Sequence, residues 1–301
     1  MDNAKTIRIH LPPDMLQSAR AGAHNFIARL ENAVRDRGWD VAFRPNSPAA
    51  LLRSAGFAGY SLFHMEQPFH ASALNMRMTG FAPFWRIEPT NTRWEWRVAR
   101  AAFDARSIDP DSARQFADRW RKWRFSAPTQ RTGHVYIPLQ GMLTTRRSFQ
   151  TASPIDMIGQ VLRHDRQRPL IVTTHPNENY SPADRAALAD LAGHPRITLA
   201  HGAMDAFLPG CDYVVTQNSS VALAGYFYHK PAVLFAQAEF HHIADNVAAI
   251  GAQAAIEQAA GTKPEFDAYL YWFLQHTAIN AGHDSAEAGI IAALRASGWP
   301  I

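Results

Sequence analysis

Between His134 and Phe235, short apolar runs alternate with helical stretches almost without interruption, and this rhythm limits the fold more than any other feature of the chain. His134–Leu139, Leu170–Thr174, Ile197–Ala200, Tyr213–Thr216 and Ala232–Phe235 each read as a strand, short, apolar and closed by polar or chain-breaking residues. Pro154–His164 opens after Ser153, Pro182–Ala192 opens after Ser181 and stops at Gly193, and Ser219–Tyr228 follows a strand directly. Their caps and periodicity predict helices. Strands joined through helices rather than tight turns pair in parallel, so the stretch predicts a doubly wound sheet.

The first half predicts a second α/β layer. Thr6–Leu11 alternates and halts at Pro12-Pro13, Ala23–Arg37 spaces Phe26, Ile27, Leu30 and Val34 as a helix does, and Trp39–Phe43 and Tyr60–Met65 read as strands. Residues 66–108 show no clear periodicity, and within them Gly80-Phe-Ala-Pro-Phe-Trp85, with aromatics and breakers together, predicts an irregular, partly buried loop. Asp111–Phe125 reads as a helix capped by Asp109, with Pro110 in its first turn and basic residues in its last. Asp109-Pro-Asp111 could hold a metal, but proline ahead of a helix fits capping better. Ser126–Gly133 reads as a linker. The expected organisation is 1–130 as an N-terminal α/β domain, 131–264 as a Rossmann-like domain, and 265–301 as helices (Glu265–Ala281 and Ser285–Ser297) returning to the first domain.

A length of 301 residues exceeds what one core usually supports, and 47% hydrophobic with 19% charged residues excludes a disordered chain. A net charge of +4 suits an anionic ligand or surface and is too weak to indicate nucleic acid. One cysteine, Cys211, excludes an internal disulfide and suits a reducing compartment. Met1–Arg8 is polar and no apolar run reaches roughly 18 residues, so the expected location is the cytoplasm.

Open α/β sheets bind ligands beyond the carboxyl ends of their strands. His175-Pro176 stands at such an end, where an imidazole can donate to a phosphate or merely close the strand. Gln217, Asn218, Ser219 and Ser220 form a polar turn leading into a helix, which suits an anion or an ordinary cap. Gln140 begins a loop whose Gly141, Arg146 and Arg147 suit a phosphate or carboxylate, or are surface charge. Glu239 and His241 follow the last strand; with His242 they invite a metal, but a catalytic zinc needs three protein ligands and no spacing supplies them. In the first half, Glu66 and His70 are candidates for an acid or base, or belong to a solvated loop. Arg119-Trp-Arg-Lys-Trp-Arg-Phe125 can dock on an anionic membrane or glycan, or can bury Trp120 and Trp123 behind a basic face.

The order of these pieces resembles the bacterial capsule polysaccharide biosynthesis family, which contains transferases of 3-deoxy-manno-octulosonic acid (Kdo). The string runs from Val135-Tyr-Ile-Pro-Leu-Gln140 through Ser153-Pro-Ile-Asp156, His175-Pro176, Val215-Thr-Gln-Asn-Ser-Ser220 and Gly225 to Lys230-Pro231 and Phe240-His241, about a third of the chain. The resemblance implies two Rossmann-like domains with a central cleft, the GT-B glycosyltransferase architecture. It implies a cytidine monophosphate (CMP)-linked donor held by the second domain, an acceptor on the first, and His175, Ser219 and Ser220 around the phosphate and ribose. Pro176, Gln140, Gln217, Asn218, Lys230 and His241 join that donor set, and Glu66, His70 and Glu239 the catalytic set. No metal or other cofactor is expected, since a single phosphate needs less neutralisation than a diphosphate. The expected partners are a nucleotide sugar, a polysaccharide or glycolipid acceptor, and the inner face of the inner membrane as a peripheral contact, with no nucleic acid. The pattern's acid after Gln140 is replaced by Gly141-Met-Leu-Thr-Thr145, and the glutamate of the helix after the serine pair by alanines. A binding protein without turnover and a sugar-nucleotide epimerase are the rival readings.

Overall fold

The computed structural model describes residues 4–301. They form two compact units, one running through Arg100 and resuming at Phe273–Ile301, the other spanning Ala101–Trp272.

The first unit is built on β1 (Thr6–Leu11), β2 (Asp40–Pro45), β3 (Tyr60–His64), β4 (Ala73–Met78) and β5 (Phe84–Glu88). β1 pairs in parallel with β2 and β3, β3 in parallel with β4, and β4 antiparallel with β5. Ile7, Ile9 and Leu11 are fully buried, and the helix Asn25–Arg35 packs Phe26, Ile27, Leu30 and Val34 into the same core. Phe26 stacks on Trp85 at 4.5 Å and 5°. β4 and β5 form within the stretch 66–108 that shows no clear periodicity; the loop expected at Gly80–Trp85 spans residues 80–83, and Phe84 and Trp85 begin β5. The polar residues of β4 and β5 hide the strand pattern because they are buried with partners: Arg86 donates to the carbonyls of Phe273 and Thr277, and Asn75 to that of Glu66.

The second unit holds β6 (Val135–Pro138), β7 (Leu170–Thr174), β8 (Ile197–His201), β9 (Tyr213–Thr216), β10 (Ala232–Leu234) and β11 (Asp245–Asn246). Their order is β11-β10-β9-β6-β7-β8, and every pair is parallel. Burial on both faces explains the nearly continuous apolar runs. The helix Pro110–Arg124 belongs to this unit. Arg121 donates to the Phe227 carbonyl at 2.8 Å and pairs with Asp267, and Phe116 meets Tyr271 edge-on at 5.5 Å. The division therefore falls at Arg100, not at the linker expected over 126–133. Trp120 is half-buried, but Trp123 is 69% exposed, which corrects the reading in which both tryptophans are buried.

The tail changes units part-way. Phe266–Leu270 is a helix of the second unit and Tyr271–His276 a π-helical turn, so the single helix expected over 265–281 does not form. Beyond it, β12 (Ile279–Asn280) pairs antiparallel with β5, and the helix Ala286–Ala296 buries Ile290, Ile291 and Leu294 in the first unit's core.

Candidate functional site

In the second sheet the chain winds one way through β6, β7 and β8 and the other way through β9, β10 and β11, so the winding reverses between β6 and β9. At such a switch point the loops leaving the carboxyl ends diverge and open a crevice. The segment after β6 is fixed there. Asp184 accepts from the backbone N–H of Leu143 at 2.7 Å and of Thr144 at 3.2 Å, while also closing a capping box with Ser181 at the start of helix Pro182–Ala192. Burial by itself would raise the Asp184 carboxyl, but the hydrogen bonds from Ser181, Thr144 and Leu143 outweigh it and hold it below the usual carboxylate range. Next to these bonds Met142 sits at φ 60°, a left-handed conformation that a side-chain-bearing residue adopts only when its surroundings impose it.

Further along this segment Arg147 lays its guanidinium over Phe149, 4.9 Å from the ring centroid. Its Nε is buried and, among the described residues, has no hydrogen-bond partner. Burial lowers the guanidinium's proton affinity, and the charge of Glu178 acts against that effect. Glu178 arrives on the loop after β7 and fills the space a side chain would take at Gly141: a Cβ there would run into its carboxylate, with Cδ at 3.1 Å. The β6 and β7 loops thus come together at Gly141, with the Glu178 carboxylate against its backbone.

His175 stands where the sequence places it, exposed just past the end of β7. Its Nδ1 accepts the Asn177 N–H at 3.2 Å and its backbone N–H donates to the Tyr180 hydroxyl at 2.8 Å. With Nδ1 accepting, the neutral ring carries its proton on Nε2, ready to donate. Pro176 is exposed beside it. After β9, Gln217 is 2% exposed and donates to the Ala152 carbonyl at 3.1 Å, tying this turn to the β6 segment. Asn218 donates to the Gln237 carbonyl at 3.1 Å. The Oε1 atoms of Gln140 and Gln217 are buried with no donor among the described residues. Ser219 accepts the Val221 N–H at 3.3 Å, and Ser220, exposed, leads into the seven-residue helix Val221–Phe227 without capping it through its side chain.

The ends carrying His175 and Ser219 are not adjacent, because β6 lies between β7 and β9; the β6 segment, with Arg147, occupies the middle. Lys230 precedes β10, at the sheet's amino edge. It is 1% exposed, donates to the Gln130 carbonyl, and has its proton affinity lowered by burial. It is a packed cation on the edge away from the switch point. His241 does follow β10 and stacks on His242 at 4.3 Å, and Glu239 is buried at 3% exposure. In the first unit Glu66 is exposed after β3, with Asn46 Nδ2 at 3.5 Å. His70 has Nε2 engaged with the Ser54 hydroxyl at 2.9 Å, and burial lowers its proton affinity. No group of three His, Cys, Asp or Glu side chains suited to a metal occurs among the described residues.

Asp184 and Glu178 carry weight that the sequence reading missed. Asp184 was detectable as the third residue after Ser181, the spacing of a reciprocal cap. Glu178 lies within the His175 loop, but its approach to Gly141 is visible only in three dimensions.

No protein-family model matches the sequence, and no curated protein matches it. Among solved structures, the chain is similar to the β-Kdo 2,7-transferase of Thermosulfurimonas dismutans KpsC, at 10% identity over 95% of this chain and 99% of that one, with a TM-score of 0.52. The β-Kdo 2,4-transferase of the same protein aligns at 11% identity over 89% and 90% of the two chains, with a TM-score of 0.48. A Methanocaldococcus jannaschii UDP-GlcNAc 2-epimerase aligns at 10% identity over 97% and 99%, with a TM-score of 0.33. At such identity the first likeness is one of fold. With two α/β units that each carry a six-stranded, mainly parallel sheet, the chain has the GT-B glycosyltransferase fold.

Proposed function

We propose that the protein is a glycosyltransferase whose second unit holds a nucleotide-activated sugar at the β6/β9 switch point. Arg147 carries this reading. A guanidinium held by an aromatic ring, with a buried Nε that has no partner among the described residues, beside a loop that carries an exposed imidazole, is equipped for an anion such as a nucleotide's phosphate. We take the donor to be CMP-linked and the transferred sugar to be Kdo-like. One guanidinium and one imidazole suit one phosphate, and a single-phosphate donor leaves less charge to neutralise. The acceptor on this reading is a surface or capsular glycan. Of the expected catalytic residues, Glu66 is retained as the base, because its carboxylate is exposed whereas the His70 ring is engaged by Ser54.

Calorimetric titration with CMP, UMP and UDP tests this. CMP should bind saturably and more tightly than UDP, with affinity falling about tenfold or more in Arg147→Ala and in His175→Ala, as expected for a lost hydrogen bond to a charged group. Glu66→Gln should abolish transfer from a CMP-linked sugar while CMP still binds. Preference for UDP would move the protein to the epimerase-like reading, and failure of every nucleotide to bind would end the donor assignment.

We place the peripheral membrane contact on the helix Pro110–Arg124, where Arg119, Lys122 and Arg124 are exposed around Trp123, itself edge-on to Trp120 at 5.1 Å. Co-sedimentation with vesicles containing phosphatidylglycerol should fall severalfold in Trp123→Ala and disappear with neutral lipid. Equal recovery of wild type and variant would remove the contact from this helix.

A further inference from the structure

The second unit also has a cavity of about 490 Å³ with no part in the donor reading. It lies along the amino edge of the sheet, because Arg131 precedes β6 and His229 precedes β10, whereas the switch point is at the carboxyl edge. The volume is within the usual range for small-ligand sites, roughly 300–1,000 Å³.

Three cations from three separate segments line it. Arg114 comes from the helix Pro110–Arg124, Arg131 from the stretch before β6, and Lys263 from the stretch before the helix Phe266–Leu270. Arg131 is steadied by donating to the Ala260 carbonyl at 3.0 Å. Arg114 is 65% exposed and pairs with an exposed aspartate, Asp111, at 3.2 Å. Lys263 is exposed. The opposing charge is smaller than it looks, because Asp267 is already engaged by Arg121 and by His229 Nε2, the latter at 3.2 Å. Glu265 remains as an exposed acceptor.

The wall between these charges is a flat ring. His229 holds a left-handed backbone at φ 53°, and its imidazole stacks on Phe266 at 5.5 Å and 28°. Its side chain is 53% exposed, so one face is backed by Phe266 and the other is open. A planar ring offers an apolar platform to the C–H face of a sugar, carboxylates accept hydroxyl protons, and guanidinium and ammonium groups take an acidic substituent. A polyphosphate would meet Glu265 unfavourably, and a neutral sugar would leave three cations unused.

We propose that this cavity is a second ligand site that binds an acidic saccharide, one whose residues bear carboxylates as well as hydroxyls. The assignment goes beyond the donor reading and does not depend on it, because the cavity's chemistry is complete within the amino-edge residues.

Titration of the purified full chain with a sialic acid tetramer, with maltotetraose and with inorganic phosphate tests the site. The acidic tetramer should bind one per chain and weaken as salt is raised. Maltotetraose should bind at least tenfold more weakly. Arg131→Ala/Lys263→Ala should cost tenfold or more in tetramer affinity. Both side chains are exposed, so the fold should persist, as an unchanged circular dichroism spectrum would show. His229→Gly removes the platform, suits the left-handed backbone, and should weaken the tetramer similarly. CMP binding at the switch point should be the same in wild type and the double variant, which separates failure of this site from failure of the donor reading. The proposal is overturned if the tetramer does not bind, if the double variant binds it as the wild type does, if maltotetraose binds equally well, or if tenfold excess phosphate displaces the tetramer.

Discussion

Lowering the pH from 7 to 4.5 should destabilise the first unit by several kcal/mol. The cause is two histidines that fold as neutral rings. His10, on β1, is 1% exposed, and its ring meets Phe63 edge-on at 5.2 Å. Burial is the main reason its pKa drops to about 4, and the charges of Arg44, Arg8 and His70 push the same way. His64, at the end of β3, is lowered to about 4 by burial first and then by Arg77 and His24. The unfolded chain protonates both near 6.5, whereas the folded chain protonates them only near 4. Between those values unfolding takes up protons, so stability is intact above about 6.5, falls as the pH drops through the interval, and levels off below about 4. Each ring contributes on the order of 2 kcal/mol of this loss by pH 4.5. Denaturant unfolding at the two pH values, on wild type and His10→Leu, measures it. The variant should lose about 2 kcal/mol less than the wild type on acidification, and an identical loss would mean that the buried neutral imidazole is not the cause.

Asp184→Ala should cost about 3 kcal/mol, large for a single substitution, because one carboxylate serves two structures. As the third residue of helix Pro182–Ala192 it closes the cap with Ser181, a bond worth ~1 kcal/mol. It also accepts from Leu143 and Thr144, and leaving a buried N–H such as that of Leu143 unpaired costs ~1–3 kcal/mol. The same change should free the segment that carries Met142 and Arg147, so CMP affinity should fall although Asp184 touches no ligand. Amide hydrogen exchange reads both effects. Leu143 and Thr144 should exchange faster in the variant, and unchanged protection together with unchanged stability would contradict the role given to this side chain.

The second sheet was legible because its strands are buried on both faces. Val135, Tyr136 and Ile137 are all at or below 1% exposure, which writes a continuous apolar run into the chain, and serines at 153 and 181 mark where helices begin. β4 and β5 were not legible, since Asn75, Arg86 and Glu88 are polar and still buried at 4% exposure or less. At the site, the histidine at a strand end could be read from local order. The different fates of equally charged residues could not. Lys230 stands in a motif and is packed on the far edge, whereas Arg147, one of two adjacent arginines, is the one laid on a ring beside the site. Trp120 and Trp123, three residues apart on one helix, likewise differ in exposure because of what the helix packs against.

The crossing of the tail from one unit to the other sets an order for biosynthesis. As the polypeptide leaves the ribosome, β6 to β11 emerge as an uninterrupted block and can close their core at once. The first unit, although translated earlier, must wait for Phe273–Ile301 before Ile290, Ile291, Leu294 and Trp299 can cover Phe26 and Leu30. Until then its nascent sheet exposes an apolar face, which makes that interval the time when a chaperone would be needed most.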